Sequence, residues 1–371
     1  VKCWFPNLTG SFFGEGYYPL VRRFSPLPLT LLILTLVVTC AGGCHSDSDA
    51  LVRRTRFLMG TLVEVTVREP DAVRGNAAIN RAFDEIARLE QLMSPHLPGS
   101  EISRLTREAG GEAVPVAPEV LDVIRTGVRW GQASGGALDI TIGPVADLWD
   151  FDDNKGQIPP DDLLRAAVKK VGFAGIEIRD GAVRLARPGM ELQLGAVAKG
   201  YAVDRAMALL RQMGIEHALI NAGGDLAAIG FRGDRIPWRI GLQHPRAPEK
   251  MIATFTMTGN AVATSGDYQR YFEKDGVRYH HIFDPKTGLP AREGAVISAT
   301  VVAPTVMDAD ALATAIFVLG PPKGLALVEN LNGVEALMVN ESGEAFFSSG
   351  FESLPDFHFL GFKQDGKDPA K

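Results

Sequence analysis

The spacing of apolar positions changes several times along the chain, and each change marks an element. RFLMGTLVEVTVRE alternates, with Leu62, Val63, Val65 and Val67 supplying apolar and β-branched bulk. That pattern predicts a strand opening at Met59-Gly60-Thr61. From Asp71 to Met93 the spacing becomes helical, with Ile79, Phe83, Ile86, Leu89 and Leu92 on one face. SPHLPGS is a loop, and Ser100 is placed to cap a short helix holding Ile102 and Leu105. A helix is expected over Glu119 to Ala133, ended by Ser134-Gly135-Gly136, and a short one over Asp161 to Lys170. Gly175 to Leu185 has the form of a hairpin turning at Asp180-Gly181.

The second half continues the mixture. Tyr201 to Met213 is a helix stopped by Gly214. HALINAGGDLAAIG is a buried strand interrupted at Gly223-Gly224, followed by the strand WRIGLQHP. MIATFTMTGNAVATSG keeps the β pattern around a turn at Gly259-Asn260, and YQRYFEKDGVRYHHIFDP turns at Asp275-Gly276. The strand GAVISATVVAP, helices over Ala309 to Leu319 and Gly324 to Leu331, and the hairpin VEALMVNESGEAFFSS close the chain. Strands and helices do not alternate regularly. The expected class is therefore α+β, with mixed, largely antiparallel sheets packed against helices.

With 371 residues and 46% hydrophobic composition, the chain can bury a large core. A net charge of −6 and the lack of a basic stripe argue against a nucleic-acid partner. The three cysteines, Cys3, Cys40 and Cys44, all precede the body, which leaves the body no disulfide and no cysteine metal site. Arg22-Arg23, the apolar run LPLTLLILTLVVTC and the small residues before Cys44 form a secretory signal. The run falls short of the ~20 apolar residues of a spanning helix. AGGC is similar to a bacterial lipobox, with Cys44 as the lipidated residue. The expected organisation is an over-called start or disordered segment (1–20), a signal peptide (21–43), a tether (44–55), one catalytic-size domain (56–362) and a disordered tail (363–371).

Candidate chemistry begins with LGAVAKGYAVD. It sets Lys199 beside a helix start, where the helix dipole disfavours a cation. A solvated face would tolerate it; an anionic ligand shared with the free N–H groups would use it. In DADALATA, Asp310 and Thr314 are i and i+4 and share one side of a helix, as hard oxygen donors suited to Mg²⁺ or Ca²⁺. A helix cap and a packed threonine are the plainer reading. Asp308 is a further cap or outer carboxylate. His280 and His281 are adjacent in a strand pattern, so one of them at most faces a given pocket. ALDITIGPVADLWDF holds Asp139 and Thr141 between glycine turns, as a strand edge or a pocket wall. The dinucleotide G-x-G-x-x-G, the P-loop, the G-x-S-x-G elbow and H-E-x-x-H zinc spacing are all missing from the sequence.

Taken in order, MGT at Met59, SEISRL, ALDITIGPVADLW, LGAVAKGYAVD, NAGGDL, ATSGDYQRY, HHIFDPKTG and ADALATA resemble the ApbE family of FAD:protein FMN transferases. The resemblance runs from about Arg56 to Phe351. It implies an enzyme that takes FAD as substrate, uses Mg²⁺ to cleave its pyrophosphate, and attaches FMN by a phosphoester to a threonine or serine of a partner redox protein, releasing AMP. The implied acceptor motif is Asp/Ser-Gly-Ala/Ser-Thr/Ser. The implied setting is an exported chain, lipid-anchored to a bacterial inner or outer membrane and facing the periplasm.

By the same resemblance, Asp310, Thr314 and the Ala196 carbonyl are the metal ligands, and His281 is the catalytic base. Met59, His96, Ala137, Leu138, Asp139, Gln193, Lys199 and Ile282 are the FAD contacts. His96 stands where the family has a tyrosine, and Gln193 where it often has an acid. Asp225 and Asp267 are similar to motif acids and equally suit structural turns. Two other readings use the same pocket: a Mg²⁺-dependent FAD pyrophosphatase giving FMN and AMP, and a non-catalytic FAD-binding lipoprotein.

Overall fold

The computed structural model describes residues 51–151 and 156–362. The signal, Cys44 and the tail after residue 362 lie outside the described residues. The expected tether is shortened from its far end. Leu51–Leu58 is already a strand, so residues 51–55 belong to the folded body.

An eight-stranded antiparallel sheet forms the centre. Its spatial order is Leu51–Leu58, Thr61–Arg68, Ala218–Ala222, Asp225–Ile229, Ala261–Gly266, Val296–Ala303, Glu335–Asn340, Ala345–Phe347. The single strand expected near Met59 is in fact the hairpin of the first two strands. Met59 (φ 51°) and Gly60 (φ 73°) form its turn, the left-handed pair that a two-residue hairpin requires. An alternating pattern runs through such a turn unbroken, so the hydrophobic period alone does not register it. HALINAGGDLAAIG resolves in the same way into two strands joined at Gly223-Gly224.

Both faces of the sheet are covered, and the period of two sorts the residues between them. Ala218, Ile220 and Ala222 join Ala261, Ala263, Ala299, Val301 and Ala303 in the core under the helices. Leu219, Leu226, Val262, Val302 and Leu337 point the other way, onto Trp238, Phe255 and Phe351. That second layer is a separate three-stranded sheet of Trp238–His244, Ala247–Met257 and His358–Phe359. The β run expected around Gly259-Asn260 therefore changes sheets at its turn.

The helical layer contains Ala72–Met93, capped by Asp71, and Pro118–Ala133, Ala198–Gln212, Val306–Leu319 and Pro321–Glu329. The helix at 306 begins three residues before its apolar pattern predicts, while the helix at 198 begins beside Lys199, within the LGAVAKGYAVD stretch expected to open it. Their first turns are held by polar contacts, which hydrophobic spacing does not report. The alanine-rich sheet face lets Val306–Leu319 lie close, and its side chains from Ala309 to Val318 are almost all buried. A third cluster, Val145, Trp149, Leu164, Ala167 and Phe283, is extended by Phe272 and Tyr279 and fixes the segment after His281. Trp149 also donates to the Gly288 carbonyl at 3.1 Å.

Candidate active site

Three turns meet at one end of the large sheet. The Met59-Gly60 turn lies against the Gly223-Gly224 turn, since a Cβ on Gly223 would collide with Thr61. Asp225 starts the strand leaving that second turn, and Thr264-Ser265-Gly266 ends a neighbouring strand. The first turn of Ala198–Gln212 brings Lys199 to the same place. Its Nζ touches Asp225 Oδ2 and lies 3.5 Å from Asp310 Oδ2.

Both carboxylates are buried. Burying an unpaired carboxylate costs several kcal/mol, so the ammonium at an otherwise unfavourable helix end is compensated twice. Two carboxylates against one ammonium leave the cluster a surplus negative charge. Burial pushes the Asp310 carboxyl above its usual range, while Lys199 and the Gly200 N–H pull it back.

The backbone around Lys199 is unusual. Gly200 N–H donates to Asp310 Oδ2 at 3.2 Å. In a regular turn it would reach the carbonyl four residues back, that of Ala196. Val197 N and Ala198 N bond to the Leu194 carbonyl and Tyr201 N to the Val197 carbonyl, and among the described residues no donor is seated on the Ala196 carbonyl. One turn along the neighbouring helix from Asp310, Thr314 Oγ1 is 3.1 Å from Ser265 Oγ. The local donor set is thus a carboxylate, two hydroxyls and an unengaged carbonyl, all hard oxygens. This fits Mg²⁺, which usually takes one or two carboxylates and completes its shell with water and substrate phosphate. Among the described residues no group of three or more His, Cys, Asp or Glu side chains gathers around one point.

The two histidines separate as their alternation requires. His280 is buried. Its Nε2 lies 3.2 Å from the Ala291 carbonyl, and its Nδ1 accepts from Ile282 N at 3.3 Å. Both nitrogens are therefore occupied by the backbone, and burial pushes its pKa down to about 4. His281 is half-buried, with Nδ1 3.3 Å from the Arg270 carbonyl. A carbonyl can only accept, so Nδ1 carries the proton and Nε2 keeps its lone pair. Desolvation pushes the His281 pKa down to about 4, and Lys199 is among the cations that assist.

His96 and Gln193 come together in a second place, a cleft of about 280 Å³ that Arg107, Asp147 and Glu191 also line. Glu191 is absent from the sequence reading, yet it returns a carboxyl to the cleft two residues before the glutamine that replaces the expected acid. Burial and then a hydrogen bond with Asp147 push its carboxyl above the usual range. Gly143 permits this wall: its N–H donates to the Glu191 carbonyl at 3.3 Å, and a Cβ there would sit 2.6 Å from Glu191 Cβ.

Other candidates hold structural posts. The Asp139 carboxylate accepts from Thr141 N, Thr141 Oγ1 and Phe173 N at 2.8, 2.6 and 2.8 Å, so its side chain is spent on a turn. Ala137 and Leu138 are buried beside it, with Leu138 N bonded to Ser134 Oγ. Met59 N donates to Glu90 Oε1 at 2.9 Å, which ties the hairpin turn to the long first helix. Ile282 is buried, and its carbonyl accepts from Ala291 N. Asp267 is held by Arg246 through two bonds of 2.7 Å. Asp308 accepts from Trp130 Nε1, Arg129 and Thr305 Oγ1, and Thr305 Oγ1 takes the Asp308 N–H in return. It is a helix cap. Ser265 and Asp204 were missed; their only sequence signal is position within the ATSGD and KGYAVD runs.

A family model for the ApbE family matches residues 59–338. The chain belongs to the ApbE family. A Treponema pallidum protein named FAD:protein FMN transferase is 34% identical over 327 residues, covering 83% of this chain and 90% of that one. A Vibrio cholerae protein of the same name is 31% identical over 321 residues, covering 85% and 95%. Among solved structures, the ApbE protein of Thermotoga maritima superposes with a TM-score of 0.76 at 32% identity, over 82% of this chain and 99% of that one. The flavin transferase ApbE of Vibrio cholerae gives 0.75 at 29% identity, over the same shares. The ApbE-like α+β architecture expected from the sequence is the one observed.

Two predictions follow from the engaged groups. Asp139→Ala strands the Thr141 and Phe173 N–H groups, at ~1–3 kcal/mol each. Its thermal midpoint should drop, measured by calorimetry at pH 7. His280 is neutral in the fold down to pH about 4 but protonates near 6.5 when unfolded. The unfolded state therefore gains protons first, and the His280 contribution to stability is lost as pH falls from 6.5 to 4. Urea midpoints across that range should fall less in His280→Gln than in the parent.

Proposed function

We propose that this protein is a Mg²⁺-dependent FAD:protein FMN transferase. One observation carries the reading: the cluster of Lys199, Asp225 and Asp310 beside Thr314 and Ser265, a cation among hard oxygen donors suited to a metal-bound diphosphate. Asp310, Thr314 and the Ala196 carbonyl would hold the ion. When bound, it neutralises the diphosphate and the charge that builds on the departing AMP phosphate.

The chain's own groups do the rest. Lys199 offers an ammonium to a phosphate oxygen, and Asp225 keeps that ammonium in place. His281 Nε2 takes the proton of the acceptor hydroxyl. The hydroxyl oxygen bonds to the FMN phosphorus, and the bond from that phosphorus to the AMP phosphate oxygen breaks. FMN ends as a phosphoester on the acceptor, and AMP leaves. His96, Gln193 and Glu191 line a cleft suited to a part of FAD other than the diphosphate, which Lys199 and the metal ligands would hold. Met59, Ala137, Leu138, Asp139 and Ile282 contribute through backbone and wall.

The acceptor would be a redox protein with an Asp/Ser-Gly-Ala/Ser-Thr/Ser segment. The basic, apolar and AGGC segments that end at Cys44 support export and lipid anchoring to a bacterial membrane, facing the periplasm.

Mass spectrometry tests the reading. A domain bearing the acceptor motif, incubated with the protein, FAD and Mg²⁺, should gain one FMN mass on its hydroxyl residue, and EDTA should prevent the gain. FMN and AMP released without modification of the acceptor would point to pyrophosphatase chemistry. FAD bound with no turnover would point to a carrier. Asp310→Ala should abolish Mg²⁺-dependent transfer. His281→Ala should lower the transfer rate by roughly 10²–10⁴ with FAD affinity retained. Because its pKa sits near 4, His281 stays an unprotonated base well below pH 6.5. The acid limb of the rate profile should accordingly lie below that of free imidazole.

A further inference from the structure

Asp204 lies on the helix Ala198–Gln212, between the candidate phosphate-binding lysine and the body of the protein. Its two oxygens leave their own helix. Oδ1 accepts from Val306 N and Oδ2 from Met307 N, each at 2.9 Å. These are first-turn N–H groups of Val306–Leu319, the helix that carries Asp310 and Thr314. A carboxylate there satisfies two orphan donors and meets the positive end of the helix dipole.

The favour is returned. Asp310 of the second helix accepts the Gly200 N–H in the first turn of the first helix, at 3.2 Å. Each helix thus supplies the carboxylate that caps the other's N-terminus. Gly200 makes the exchange possible. A Cβ at that position would stand 2.5 Å from the Val306 carbonyl oxygen and 2.7 Å from Met307 Cα, so only glycine lets the helices approach this closely. The spacing between Lys199 Nζ and Asp310 Oδ2, 3.5 Å, is a direct product of that approach.

We propose that Asp204 is a positioning residue for the metal-binding carboxylate: through the Val306 and Met307 N–H groups it sets where Asp310 stands relative to Lys199 and the Ala196 carbonyl. The proposal rests on the reading of Asp310 as a metal ligand. Its force is geometric. A site of this kind tolerates displacements of about 0.5 Å before its ligands no longer converge, and a helix released at its N-terminus can move by that much. Asp308 offers the internal comparison. It lies in the first turn of the same helix but is bonded to Thr305, Trp130 and Arg129 and holds neither of the N–H groups that Asp204 takes.

The experiment is Mn²⁺ binding to the FAD-loaded protein, followed by electron paramagnetic resonance of free Mn²⁺, alongside thermal midpoints. Asp204→Asn should weaken Mn²⁺ by roughly 10–100-fold, the range for groups that orient a ligand. FAD affinity in EDTA should be unchanged. Gly200→Ala, which forces the helices apart by another route, should weaken Mn²⁺ in the same direction and serves if Asp204→Asn does not fold. Asp308→Asn should lower the thermal midpoint and leave Mn²⁺ affinity within about twofold. Equal Mn²⁺ affinity in Asp204→Asn, Gly200→Ala and the parent would overturn the proposal, as would an equal loss in Asp308→Asn. Asp310→Asn separates the two claims: if it binds Mn²⁺ as the parent does, the ligand assignment fails, whatever Asp204 does.

Discussion

A lysine between two buried carboxylates governs the arrangement of the active end. Lys199, Asp225 and Asp310 come from a helix start, a strand start and a second helix, so their mutual contact fixes three elements at once. Removing Lys199 would leave two buried carboxylates without their counter-charge, which is far costlier than losing an exposed ion pair. The turns at Met59-Gly60 and Gly223-Gly224, and the end of the strand at Ser265, are then held in register around that point.

The rest of the fold serves to keep this end rigid. Covering both faces of the sheet removes slack from its strands, and the alanines under Val306–Leu319 bring that helix close to them. The aromatic cluster around Trp149 holds the segment that follows His281, while the Arg270 carbonyl selects the tautomer of its ring. His281 and the Lys199 cluster are thereby presented by different parts of the fold, each braced by its own packing.

The sequence was most legible where one physical signal acts alone. The long helix from Ala72 has a strong periodic face and an aspartate cap, and the hairpin at Asp180-Gly181 has its turn written in two residues. Legibility failed at Met59-Gly60, where the alternating pattern passes through a turn without breaking. It failed again at the helix start near 306, where the Thr305 cap lies outside the apolar pattern and the first N–H groups are taken by the distant Asp204. In the site, Lys199, Asp310 and Thr314 were accessible through helical spacing and through resemblance to the ApbE family. Glu191 and Ser265 were not, because their relevance comes only from tertiary proximity to Gln193 and Thr314. Asp139 shows the opposite case: a residue in a motif whose carboxylate is consumed by its own loop.

The outermost strand of the large sheet, Leu51–Leu58, carries Arg53, Arg54 and Arg56 and no acidic residue. Arg53 meets Glu64 on the neighbouring strand, whereas Arg54 and Arg56 reach Asn76, Asn80 and Asp84 on the long helix. An eight-residue open edge would otherwise be a template for another molecule's strand. Three cations in a row set like charge against like when two copies approach edge to edge. Charged side chains along a sheet margin are a general means of disfavouring edge-to-edge pairing, and here they also tie that margin to the long helix.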